Sequence, residues 1–79
     1  MYIATFYAHF GAVRFHRELR KQGLEGTVMP VPRDLSSSCG TCVRFASNGW
    51  MPKEGNEEIE QIVEVTDQGY RCVYRAENS

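Results

Sequence analysis

The predicted fold of this chain depends on residues 56–67, whose sequence is NEEIEQIVEVTD. Asn56 is a residue type that caps helices, and Glu57 and Glu58 follow it where carboxylates suit the positive end of the helix dipole. Apolar and β-branched side chains then recur at helical spacing. Gly69 would supply the stop. The pattern predicts a helix over residues 56–67 with an inner stripe of Ile59, Ile62, Val63 and Thr66.

The N-terminal part of the chain predicts a strand followed by another helix. Residues 2–7 are rich in aromatic and β-branched side chains, as strands are. Residues 8–22 predict a helix with basic residues in its last turn and Gly23 as its stop. Its apolar stripe, at helical spacing, consists of Ala8, Ala12, Phe15 and Leu19.

Three more strands complete the prediction. The first covers residues 26–31, where Pro30 lacks an N–H donor, so we expect this strand at a sheet edge or already leaving the sheet. A polar loop over residues 33–40 leads to a strand over residues 41–46, and residues 47–55 form a connection with Asn48-Gly49 as its turn signal. The last strand covers residues 70–75.

The resulting order is β-α-β-β-α-β within a single domain, residues 1–79. Two βαβ-type units with right-handed crossovers predict a four-stranded antiparallel sheet with both helices on one face. The predicted fold class is therefore α+β, a ferredoxin-like βαββαβ sandwich.

Composition narrows the function classes. The formal net charge of -1 offers no electrostatic basis for binding nucleic acid or a membrane surface. No apolar run approaches the ~20 residues of a membrane span, and the N-terminus lacks the features of a signal peptide. We therefore expect a cytoplasmic protein whose partners include no nucleic acid and no membrane.

The chain has three cysteines, Cys39, Cys42 and Cys72. An odd number argues against the disulfide scaffold of a small secreted protein, and in a reducing compartment thiols stay free. Cys72 lies on the alternating face of the last strand with Tyr70 and Tyr74, so packing is its expected role.

Cys39 lies in the sequence SSSCGTC, residues 36–42. Serine and glycine leave this backbone free to turn, and successive N–H groups in a turn form a concavity that binds anions such as a thiolate or a persulfide. Nearby arginines would lower the pKa of the thiol. Burial as a small apolar side chain is the alternative role for Cys39. The supporting residues predicted for a reactive Cys39 are Arg33, Ser38, Gly40 and Arg44.

Cys39 and Cys42 also form a C-x-x-C pair, a spacing found in redox dithiols. In thioredoxin-like proteins the first cysteine begins a helix, whereas this pair leads into a predicted strand. Within one strand the two side chains would point to opposite faces, so they can pair only if Cys39 lies on the loop. A structural zinc site needs about four ligands. With no second C-x-x-C, we predict no metal site and no cofactor.

The same residues resemble a known family. Residues 2–6, the stretch Met29-Pro30-Val31-Pro32-Arg33 and the stretch Ser37-Ser38-Cys39-Gly40 are similar to those of the small Se/S carrier-like domains. The resemblance spans about residues 2–74, and the spacing between the two stretches is its most specific part. It implies a role in selenium or sulfur transfer, with the family's cysteine, glycine and arginine at Cys39, Gly40 and Arg33. Cys42 departs from the family pattern, where an apolar residue is usual.

Three functions follow from these observations. A carrier would hold sulfur or selenium on Cys39 as a persulfide or perselenide and exchange it with donor and acceptor proteins, which makes it a carrier protein more than a complete enzyme. A dithiol redox protein would use Cys42 as the resolving thiol. A non-catalytic interaction module, or a homodimer, would pair through an edge strand near residues 28–31.

Overall fold

The computed structural model describes residues 1–46 and 58–76, which form one antiparallel sheet with a helix packed on one face. The elements, in chain order, are β1 (Tyr2–Phe6), α1 (His9–Lys21), β2 (Gly26–Pro30), β3 (Thr41–Phe45), β4 (Ile59–Thr66) and β5 (Gly69–Arg75). The strand order across the sheet is β2-β3-β1-β4-β5, with every neighbouring pair antiparallel. β1 is therefore the central strand.

The β1-α1-β2 unit agrees with the prediction. Both β1 and β2 run antiparallel to β3, so they are parallel to each other and need a crossover connection, which α1 supplies. The helix has Arg20 and Lys21 in its last turn, and Gly23 follows it with a φ of 75°. That left-handed conformation suits glycine because it carries no Cβ, so the predicted helix stop is confirmed.

The predicted position of the proline-containing strand is also confirmed. β2 lies at one edge of the sheet, and its last residue, Pro30, pairs with Thr41 of β3. On an edge strand, the N–H that proline lacks need not bond to a second neighbouring strand.

The predicted helix over residues 56–67 is wrong, and with it the ferredoxin-like βαββαβ fold of four strands and two helices. Residues 59–66 form strand β4, so the sheet has five strands and the described residues contain a single helix. Five of the eight residues in β4 are β-branched, a composition that favours a strand. The predicted cap at Asn56 and the connection at residues 47–55 lie outside the described residues.

A β-bulge explains why the apolar residues of β4 are spaced like those of a helix. Phe6 of β1 pairs with Ile59 and Thr5 pairs with Gln61, so Glu60 is an extra residue in β4. A bulge interrupts the alternation of side chains along a strand. Ile59 and Ile62 therefore share one face although they are three residues apart, which imitates the periodicity of a helix.

A second bulge overturns the packing role predicted for Cys72. Ile62 pairs with Tyr74 and Val63 pairs with Cys72, so Val73 is an extra residue in β5. Tyr70 and Tyr74 consequently pack on opposite faces of the sheet. Cys72, on this edge strand, is exposed.

The core has two layers, one on each face of the sheet. On the helix face, α1 buries Ala12, Phe15 and Leu19 against the sheet. The sheet residues of that layer are Ala4, Phe6, Val43, Phe45, Ile59 and Ile62. On the opposite face, a smaller cluster consists of Ile3, Cys42 and Val63, covered by Met29, Val31, Leu35 and Tyr70.

Across residues 1–46 and 58–76, no helix has both the length and the apolar character needed to cross a bilayer.

Candidate functional site

Residues 31–40, which we call the cysteine segment, connect β2 to β3. Val31 and Leu35 pack on the smaller apolar cluster, so the segment covers the sheet face opposite α1. Its two ends are joined by a hydrogen bond of 3.1 Å from the Val31 amide to the Gly40 carbonyl. Apolar contacts therefore hold the segment against the sheet, and one backbone hydrogen bond joins its two ends.

Cys39 is half-buried on this segment, and its thiol is free. Its backbone N–H donates a hydrogen bond of 3.2 Å to the hydroxyl of Ser37. Cys39 is therefore neither buried nor fully exposed, and it is not among the residues that form either apolar cluster.

Cys42 has a different environment. It lies on β3 with its side chain on the face covered by the cysteine segment, and it has no exposed surface. Its Sγ lies 3.7 Å from the Pro30 carbonyl, to which the thiol donates. Burial, and secondarily the charge of Cys39, raises the pKa of Cys42 above its ordinary value. At neutral pH Cys42 is therefore a protonated thiol, a weak nucleophile.

Glu60 is a site residue that the sequence analysis missed. The Ser38 amide donates to its Oε1 at 3.0 Å, and the Ser38 hydroxyl donates to its Oε2 at 2.6 Å. The hydroxyl of Thr5, which is buried, also donates to Oε1, at 3.2 Å. No signal in the sequence could have found Glu60, because a helix over residues 56–67 would not bring it to this loop.

These hydrogen bonds control the ionisation of Glu60. Partial burial raises its pKa, but hydrogen bonds from the Ser38 hydroxyl and amide, from Thr5 and from Ser37 outweigh that effect, so the net shift is downward. Glu60 is therefore an anion at neutral pH, and it binds the Ser38 amide, one of the loop N–H groups that were predicted to hold a thiolate or persulfide.

Two further contacts tie the cysteine segment to the sheet. Gln61 donates from Nε2 to the Ser36 carbonyl at 2.9 Å. Two residues earlier in the segment, the Tyr70 hydroxyl donates to Oδ1 of Asp34 at 3.1 Å. Desolvation, followed by the nearby Asp34 carboxylate, raises the pKa of Tyr70, which keeps it a donor at neutral pH. Residues of β4 and β5 thus hold the middle of the segment.

The arginines predicted to assist Cys39 are placed apart from these contacts. Arg33 and Arg44 are both exposed, and neither side chain makes a hydrogen bond or ion pair with another described residue. Arg44 instead lines a small cleft with Met1 and Thr27. The structure brings Cys39, Ser38 and Cys42 into one region, whereas a role for either arginine stays a prediction.

Gly40 is exposed, and a Cβ built on it would meet no atom within 4 Å. Its φ is not in the left-handed region, since the positive-φ glycines of the described residues are Gly23 and Gly69. The structure therefore has room for a side chain at residue 40, and a supporting role for Gly40 stays a prediction.

An open cleft of about 530 Å³ lies beside the cysteine segment. Its walls include Ser36, Ser37 and Ser38 on one side and Glu60 with Arg75 on the other. Among residues 1–46 and 58–76, no group of three or more potential ligands is placed to hold a metal ion. The chemistry available in this region is therefore that of a thiol, hydroxyls and one carboxylate.

Comparison with known proteins identifies the family of the chain. The chain is 24% identical over 71 residues to the uncharacterized protein YtiA of Escherichia coli (strain K12), covering 90% of this chain and 76% of that protein. No solved structure matches the chain. The model of a family described as "Putative Se/S carrier protein-like" matches residues 1–75. The resemblance predicted from the cysteine segment is therefore confirmed, and this chain belongs to the Se/S carrier-like family.

Proposed function

We propose that the protein carries sulfur or selenium on Cys39 as a persulfide or perselenide. The observation that supports this proposal is the contrast between its two neighbouring thiols. Cys39 is accessible on the cysteine segment, whereas Cys42 has no exposed surface. A carrier needs one thiol that a donor protein can reach, with no reactive thiol directly beside it.

The transfer step requires no net oxidation. The Cys39 thiolate attacks the terminal sulfur of a donor persulfide, forming Cys39–S–SH once a proton is taken up and releasing the donor cysteine as a thiolate. An acceptor nucleophile then attacks that terminal sulfur, and the Cys39 thiolate leaves. The selenium version replaces only the terminal atom. The partners are a donor and an acceptor protein, and a reducing cytoplasm would keep the empty thiol free.

The buried thiol argues against a dithiol redox function. A resolving cysteine must attack as a thiolate, and burial raises the pKa of Cys42. A neutral Cys42 leaves a persulfide on Cys39 intact for the acceptor, which suits a carrier.

Mass spectrometry after incubation with a persulfide donor tests the proposal. Because Cys72 is also exposed, the test uses a Cys72→Ser background, so that one accessible thiol remains. A cysteine desulfurase supplied with free cysteine should add one sulfur mass to this protein and to the matched Cys42→Ala variant. The Cys39→Ala variant should stay unloaded, and loading equal to that of its parent would refute the proposal.

A further inference from the structure

The bulge in β4 directs two consecutive side chains at the cysteine segment. Glu60 is the extra residue between the pairs Phe6–Ile59 and Thr5–Gln61. In a regular strand, adjacent side chains point to opposite faces. Here Glu60 bonds to Ser38, and Gln61 bonds to the carbonyl of Ser36. Bulges often re-aim a side chain beside a functional site, and this one gives the segment two adjacent anchors.

The contacts of Glu60 lead along the segment to the backbone of Cys39. The Ser37 hydroxyl is close enough to the Glu60 carboxylate to lower its pKa, and it accepts the Cys39 N–H at 3.2 Å. Ser38, adjacent to Cys39, donates to both carboxylate oxygens, at 3.0 Å from its amide and 2.6 Å from its hydroxyl. The carboxylate thus holds the two residues that precede Cys39.

We infer that Glu60 is the positioning residue for Cys39, fixing the Ser37-Ser38 backbone so that the thiol is presented to donor and acceptor proteins. This inference rests on the proposed carrier function. Hydrogen bonds to an ionised acceptor are stronger than neutral ones, so the negative charge of Glu60 matters as well as its shape. Glu60 touches no cargo in this role; it acts through Ser37 and Ser38.

The titration of Glu60 can be distinguished from that of the groups around it. Tyr7 and Arg75 also line the cleft, and neither is a carboxylic acid. Asp34, on the same segment, bonds the Tyr70 hydroxyl instead. A pH-dependent signal at Ser38 that disappears when Glu60 is replaced is therefore due to Glu60.

The first test follows the backbone amides of Ser38 and Cys39 by NMR during an acid titration of the full chain. Both amide shifts should move with one midpoint below 4.5, the ordinary pKa of a glutamic acid. Glu60→Gln should abolish that transition. Glu64→Gln is the matched control, because Glu64 lies on the same strand but pairs with Arg71. If Glu60→Gln leaves the Ser38 transition in place, the inference is wrong.

The second test measures the rate of sulfur loading on Cys39 in the Cys72→Ser background. Glu60→Ala should load at least about tenfold more slowly, because small displacements of a reacting group carry large rate penalties. Glu60→Gln, which keeps an acceptor for the Ser38 amide, should recover part of the rate, and Glu64→Gln should load normally.

The two tests separate the inference from the function on which it rests. A folded Glu60→Ala variant that loads at the parent rate overturns the positioning role, with folding checked by circular dichroism. If the parent protein never loads, the carrier proposal fails instead, while the amide titration still shows whether Glu60 holds the segment.

Discussion

Cys39 and Cys42 are close in the sequence, but their thiols lie in different environments. They are three positions apart, yet Cys39 lies on the segment and Cys42 lies beneath it. The sequence alone allowed either a dithiol or a single reactive thiol. The choice depends on which face of β3 the segment covers, which is a property of the tertiary structure.

This difference predicts selective alkylation. In a Cys72→Ser background at pH 7, iodoacetamide should modify Cys39 while Cys42 stays unmodified, because Cys42 is buried and its pKa is raised. Peptide mapping after a timed reaction identifies the modified residue. Adding urea should make both thiols reactive, which serves as the control.

Cys42 should stay protected when the pH is raised from 7 to 8.5, since its pKa is raised and it reacts only when the structure opens. Equal rates for the two thiols in the folded protein would mean that Cys42 is not shielded by the segment.

Part of the site was predictable at the level of single residues. Serine and glycine around Cys39 indicated an accessible loop, and that local chemistry needs no knowledge of the fold. Glu60 and Thr5 meet across 55 positions of sequence, so their contact depends on the register between β1 and β4. That register includes a bulge, which leaves no distinct mark in the sequence.

At the scale of elements, the first half of the chain was predicted well because its patterns are uninterrupted. The 3.6-residue period of α1 places Ala12, Phe15 and Leu19 against the sheet. In β4, the extra residue Glu60 converts an alternating pattern into one with helical spacing. Short apolar runs cannot be assigned by periodicity alone, and β-branched content was the better guide there.

The packing of α1 predicts a strong contrast between two phenylalanines on the same helix. The Phe15 ring packs against the rings of Phe6 and Phe45, with centroids 5.4 Å and 5.1 Å away. Phe15→Ala should lower the free energy of unfolding by about 3–5 kcal/mol, the usual cost of emptying such a site. Urea denaturation followed by circular dichroism measures this change.

Phe10→Ala is the matched control, since Phe10 is 67% exposed. Its removal should change the free energy of unfolding by no more than about 0.5 kcal/mol, as is usual for surface positions. Similar losses for Phe10→Ala and Phe15→Ala would contradict the orientation of the helix described above.

At the scale of the whole molecule, the sheet separates a large apolar layer from a small one. The helix face contains three packed aromatic rings, whereas the opposite face has a cluster of three buried residues under the cysteine segment. The order β2-β3-β1-β4-β5 also makes stability unequal across the sheet, because β1 has partners on both sides and β2 and β5 have one each.

Hydrogen exchange should report that inequality. Amides of β1 should exchange most slowly, through global unfolding, because their strand is covered on both faces and paired on both edges. Amides of β2 and β5 that point away from the sheet should exchange fastest among the strands. A protected β5 with a labile β1, measured by NMR at one pH, would be inconsistent with this strand order.

The cysteine segment carries the Cys39 thiol and also covers Ile3 and Val63. Displacing the segment from the sheet would expose these apolar side chains to water, which is unfavourable. The contacts that keep this face of the sheet dry therefore also restrain the backbone on which the thiol lies.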